Sequence, residues 1–96
     1  MRPSEALALH RDEVRSIMAT YAIENPRIFG STARGQDSEG SDLDVLVRRN
    51  GTLTFMDLAR LEHDLSSLLG VKVDVRTEGE FSARVLGRIQ QEFVRL

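Results

Sequence analysis

The 96-residue chain has no cysteine, so no disulfide can hold it together, which fits a reducing cytosol. With two histidines and no thiol it lacks the usual ligands of a structural zinc site. No apolar run approaches the roughly 20 residues that a membrane helix needs, and the N-terminus shows no signal-peptide core. An excess of one charge is missing too. Thirteen basic against 15 acidic residues leave a formal net charge of −2, which gives no general attraction to nucleic acid. Repeats, low-complexity tracts and linkers are absent. What remains is a hydrophobic share of 41%, ordinary for a globular protein, and a length that suits one small domain over residues 1–96.

The most informative stretch runs from Arg27 to Val47. A short apolar strand, Arg27–Phe29, leads into Gly30-Ser31. After ten intervening residues, Asp42-Leu43-Asp44 opens a second apolar strand that extends to Arg48. In a strand, residues i and i+2 point to the same side, so Asp42 and Asp44 project together while Leu43, Val45 and Val47 face the other way. Two carboxylates ~4 Å apart at an effective dielectric of ~20 repel by about 4 kcal/mol. A fold keeps such a pair when a cation sits between them or when they share a proton.

A third carboxylate extends the pattern. Val71–Arg76 alternates, with three valines on one face and Lys72, Asp74 and Arg76 on the other. If this strand lies beside the 42–48 strand with its valines inward, Asp74 joins Asp42 and Asp44, because neighbouring strands are ~4.8 Å apart. Hard oxygen ligands of this kind suit Mg2+, which commonly also binds a substrate phosphate. Each element has a plainer reading when taken alone. Gly30-Ser31 could be an ordinary turn. Ser41-Asp42 could cap a turn, Asp44 could be a solvated strand residue, and Asp74 could pair with Lys72 or Arg76.

Gly-Ser-x-Ala-Arg-Gly, from Gly30 to Gly35, followed by Ser-Asp-x-Asp from Ser41 to Asp44 and a later strand carboxylate, resembles the nucleotidyltransferase superfamily that includes DNA polymerase beta. The local form is most similar to its minimal nucleotidyltransferase branch, short proteins commonly paired with a HEPN-domain toxin. The resemblance implies a donor nucleoside triphosphate, ATP, and transfer of AMP. It implies that Asp42, Asp44 and Asp74 hold two Mg2+ ions, with Asp74 also helping to deprotonate the attacking hydroxyl. Gly30, Ser31 and Arg34 would bind the nucleotide phosphates, Arg34 being as readily a solvated surface residue. The chain departs from the pattern at Thr32, where relatives often carry a basic residue, so one phosphate contact is missing.

Elsewhere the periodicities predict a helix from Pro3 to about Ala22, broken at Asn25-Pro26. They predict one helical turn over Ser31–Gly35, a turn at Asn50-Gly51, and a helix capped by Thr54 and Asp57 and closed by Gly70. A last helix is predicted from about Glu80 to Arg95, because Phe81, Val85, Ile89 and Phe93 fall four apart. The order gives an α/β fold, a small mixed β-sheet of three or four strands with helices packed on it. His10 and His63 fall in helices away from the carboxylates. Arg84, Arg88 and Arg95 form a stripe that reads as a solvated face, or as a contact for an acidic partner or RNA backbone.

One helix follows Asp74, so another chain is expected to supply the acceptor. By resemblance that partner is a HEPN ribonuclease toxin, adenylylated on a tyrosine by a cytoplasmic antitoxin. The alternatives are a non-catalytic antitoxin that neutralises its toxin by binding alone, and a small nucleic-acid binder using the arginine stripe. An apolar helix face is also available for an oligomer or partner.

Overall fold

The computed structural model describes residues 1–48 and 51–96, so the turn expected at Asn50-Gly51 lies partly outside the described residues. The elements are α1 (Pro3–Leu9), α2 (Arg11–Thr20), β1 (Glu24–Phe29), β2 (Leu43–Arg48), α3 (Phe55–Leu69), β3 (Val73–Thr77), α4 (Ala83–Gln90) and β4 (Val94–Arg95). A 3-10 turn, Glu78–Glu80, joins β3 to α4. The strands form one four-stranded sheet in the order β3-β2-β1-β4. β1 runs antiparallel to β2 and to β4, and β2 runs parallel to β3 through the α3 crossover, which makes the sheet mixed.

α3 forms where its sequence begins and ends it. The Thr54 hydroxyl accepts from the Asp57 N–H at 3.1 Å, and the Asp57 carboxylate accepts from the Thr54 N–H at 2.9 Å, a reciprocal cap. Gly70 ends the helix in the left-handed conformation at φ 69°. Leu58, Leu61, Leu65 and Leu69 recur three and four apart, so one stripe of the helix is buried. That stripe meets Ala6 and Leu7 of α1, Val14 and Met18 of α2, and the inward side of the sheet. The sheet contributes Ile28, Leu43, Val45, Val47, Val73 and Val75, every one buried.

Three expectations need correction. The single helix over residues 3–22 is two helices, because the backbone leaves helical geometry at His10, which ends α1 and begins α2. The first strand starts at Glu24 rather than Arg27. The pairing register shifts between Glu24 and Arg27, with Asn25 left-handed at φ 50°, and this irregularity accommodates Pro26. The last helix is only Ala83–Gln90, and Val94–Arg95 turns back as an edge strand on β1. The four-residue spacing of Phe81 and Phe93 is therefore not a helical stripe. Both rings stand edge-on to Phe29, at centroid separations of 6.0 and 6.4 Å. Among the described residues no helix is long and apolar enough to cross a membrane.

Candidate active site

The strand alternation that buries Leu43, Val45 and Val47 against the helices sends Asp44 to the opposite face of the sheet. The parallel register between β2 and β3 sets Asp44 directly opposite Asp74, and Val45 opposite Val75. The antiparallel register sets Phe29 on the other flank of Asp44. The valine face of β3 is thus inward, as the sequence predicts, and two of the three expected carboxylates are cross-strand neighbours. Asp42 lies just before β2, two residues from Asp44.

The charges register this proximity. Burial, then Asp74, then Asp42 hold the Asp44 carboxyl above its ordinary pKa, while Arg76 and Arg34 pull it back. Lys72 supplies part of the missing counter-charge. Its ammonium lies 3.8 Å from Asp42 Oδ2 and 4.0 Å from Asp74 Oδ1. The plainer reading of Asp74, a pair with Lys72, therefore coexists with the carboxylate cluster.

Gly30 shows why the turn and the carboxylates belong together. Its φ of 77° is a conformation that side chains disfavour, and a Cβ built there would lie 2.5 Å from Asp44 Oδ2. The Asp44 carboxylate packs over the bare glycine. The turn that follows is closed by Arg34 N–H to Gly30 O at 3.2 Å and Gln36 N–H to Ser31 O at 2.8 Å. Ser31 sits in this turn immediately beyond Gly30. Arg34 is engaged elsewhere, donating to Glu92 Oε2 at 3.0 Å and to Gln36 Oε1 at 3.2 Å. Beside it, the Thr32 hydroxyl is buried with no hydrogen-bond partner among the described residues.

Among the described residues no three His, Cys, Asp or Glu side chains are gathered tightly enough to hold a metal ion. The three-carboxylate grip on a metal is therefore not closed in this arrangement. The donor chemistry nevertheless fits Mg2+. The ligands on offer are hard carboxylate oxygens, two of them in cross-strand register and mutually repelling. Sequence reasoning missed the Arg34–Glu92 pair and two residues of α3 behind Asp74. Ser66 Oγ accepts from the Val73 N–H at 3.1 Å, and the Glu62 carboxyl faces the Val75 backbone N–H. Their signal was a polar pair four apart beside the leucine stripe.

The other polar residues of that sheet face are structural. Arg27 donates to Glu78, holding the Glu78 carboxyl below its ordinary pKa, and its guanidinium stacks 4.9 Å over Phe93. His10 sits at the α1–α2 break beside Glu13 at 3.1 Å, and His63 is exposed on α3.

A Methanocaldococcus jannaschii protein named as a candidate protein adenylyltransferase is 36% identical over 78 residues, covering 81% of this chain and 84% of its own. Protein adenylyltransferase MntA of Thermococcus cleftensis is 28% identical over 88 residues, 92% of this chain and 86% of its own. A solved structure described as a candidate minimal nucleotidyltransferase superposes with a TM-score of 0.87 at 39% identity, over 97% of this chain and 95% of that one. A toxin–antitoxin complex with AMP-PNP shares the fold at a TM-score of 0.75 and 20% identity, over 88% of this chain and 69% of that one. Residues 9–96 match the nucleotidyltransferase domain, and this chain belongs to the nucleotidyltransferase domain family.

Proposed function

We propose that the chain transfers AMP from ATP to a hydroxyl of a partner protein, as the antitoxin of a cytoplasmic toxin–antitoxin pair whose toxin is a HEPN ribonuclease. The observation that carries this reading is the register of Asp44 with Asp74 against the Gly30 turn. The names of the relatives support the protein acceptor, and the fold shared with a toxin–antitoxin component supports the partner class.

Asp42, Asp44 and Asp74 are the residues that would hold Mg2+, which when bound neutralises phosphate charge and stabilises the attacking and leaving oxygens of an in-line displacement. The protein's own task is positioning. Gly30 keeps the turn close to Asp44, and Ser31 offers a hydroxyl and an amide to the terminal phosphates. Arg34 would exchange Glu92 for a phosphate oxygen, and Lys72 would leave the carboxylates it now neutralises. Asp74 would accept the proton of the acceptor hydroxyl as its oxygen bonds to the α-phosphorus and pyrophosphate departs. The acceptor approaches from another chain.

The experiment co-expresses the protein with a HEPN-domain toxin and measures the toxin's intact mass. A gain of one or more adenylyl groups is expected with the native protein and none with Asp42→Asn or Asp44→Asn. Neutralisation of an unmodified toxin by the Asn variants would instead establish occlusion alone, the reading favoured by the Arg34–Glu92 and Lys72 pairs that occupy the site here.

A further inference from the structure

Among the described residues β3 is an edge strand, with β2 on one side and no strand on the other. Its outward amides are the kind of free donors that recruit foreign strands. Here two of them are bonded to side chains, and a third faces a carboxyl. The Val73 N–H donates to Ser66 Oγ at 3.1 Å, the Val75 N–H faces the Glu62 carboxyl, and the Thr77 N–H donates to Glu80 Oε2 at 2.7 Å. Glu62 and Ser66 stand four residues apart, on one side of α3, so a single helix face reaches two successive outward amides. On the inner side, the Leu43 N–H donates to Lys72 O at 2.8 Å, tying the start of β3 to β2. Asp74 lies between the Val73 amide, which Ser66 holds, and the Val75 amide, which faces Glu62.

We infer that Ser66 and Glu62 are positioning residues that fix the β3 backbone on either side of Asp74 and so hold its carboxylate in register with Asp44. The inference rests on the proposed metal–triphosphate reading of the carboxylates. Asp44 and Asp74 repel, and the strand bearing Asp74 is paired on one edge only, so without a clamp the repulsion can be relieved by moving β3 outward. Ser66, carried on the packed helix α3, holds the outer edge of the strand at hydrogen-bond distance, so β3 cannot slide past it or move further outward without breaking or compressing that contact. Glu62 adds an acceptor one turn earlier, and it is a part-buried carboxylate that itself feels Asp74. An apolar pair at these positions would leave the Val73 amide unpaired and remove the carboxyl that the Val75 amide faces.

Mn2+ titrated into the protein and followed by electron paramagnetic resonance reads the site without an acceptor. The double variant Ser66→Ala with Glu62→Leu should weaken Mn2+ binding about tenfold, the scale typical of outer supports of a metal site. Ser66→Thr and Glu62→Gln each keep an acceptor oxygen and should stay within about threefold of the native protein. In the metal-free protein, hydrogen exchange at the Val73 and Val75 amides should accelerate in the double variant while core amides of α3 stay protected. Unaltered Mn2+ affinity in the double variant, or a loss that the Thr and Gln variants share, overturns the inference. Should the double variant lose its circular dichroism, Ser66→Ala alone takes its place under the same criteria. Asp74→Asn separates the two levels. If it binds Mn2+ as the native protein does, the metal reading fails and takes the clamp with it; if it loses Mn2+ while the Ser66 and Glu62 variants do not, the clamp alone fails.

Discussion

The central sheet presents two unlike faces. On one, Ile28, Leu43, Val45, Val47, Val73 and Val75 are buried beneath α1, α2 and α3. On the other, the same strands carry Asp44, Asp74, Arg27 and Phe29 around a fully buried Leu46, with aromatic edges and ion pairs over them. One residue step along β2 separates a side chain that holds the fold from one that strains it. Period-two geometry lets so short a chain support both, because repulsion on the chemical face is offset by burial on the other. The arrangement also shows why Asp44 is tolerated: its backbone is pinned by neighbours whose side chains are wholly apolar.

The comparison breaks most visibly if the carboxylates prove dispensable. Asp44→Asn and Asp74→Asn should each lower adenylyl transfer by at least about a hundredfold, since a metal contributes several kcal/mol to the transition state. Both should keep the fold, and labelled-ATP transfer with thermal denaturation on the same samples checks the pair. On the opposite face the effect is on stability. Leu61 is fully buried on α3, and Leu61→Ala should cost about 2–5 kcal/mol by urea denaturation. If Leu61→Ala were harmless while Asp44→Asn unfolded the protein, the division between faces would be wrong.

Gly30 joins the two faces and tests them together. Gly30→Ala pays roughly 1–2 kcal/mol for a left-handed backbone. It also drives a methyl group into the Asp44 carboxylate. Transfer should therefore fall even at temperatures where the variant is fully folded, measured by activity and circular dichroism side by side.

Much of this division is legible in the sequence. Alternation fixes which side of β2 and β3 packs against the helices, and Asp42-x-Asp44 with Asp74 falls on the remaining side, where Leu46 is also buried. The capping of α3 by Thr54, Asp57 and Gly70 is legible for the same reason: the interactions are local. What escapes is whatever depends on distant parts of the chain. β4 is two residues long, and Phe93 just before it carries a helical spacing that belongs instead to an aromatic cluster on Phe29. Arg34 meets Glu92 across 58 positions, and no local pattern encodes that. The Ser66 contact with Val73 is only seven residues long, but it depends on the angle at which α3 crosses the strand.

Acid sharpens the contrast with a smaller effect. The Asp44 pKa is raised in the folded protein, so its contribution is favourable below the ordinary carboxylate value of about 3.9 and is lost as pH rises through the folded value. Asp44→Asn should then be more stable than the native protein at neutral pH, and the gap should close on acidification. Asp37 titrates with the opposite sign. Burial raises its pKa, but the Ser4 N–H donating at 2.8 Å, the Ser4 hydroxyl, the Asp37 backbone and the Arg2 charge together more than compensate, and the net shift is downward. Its contribution is present above the ordinary value and lost as pH falls through the folded one. Denaturation of native, Asp44→Asn and Asp37→Asn proteins between neutral pH and the acid limit separates the two. Asp37→Asn should flatten the acid limb, whereas a neutral-pH loss of stability in Asp44→Asn would show that the carboxylate repulsion is already relieved. That outcome would leave the two faces of the sheet energetically alike, and the chemical face would no longer need the apolar one to sustain it.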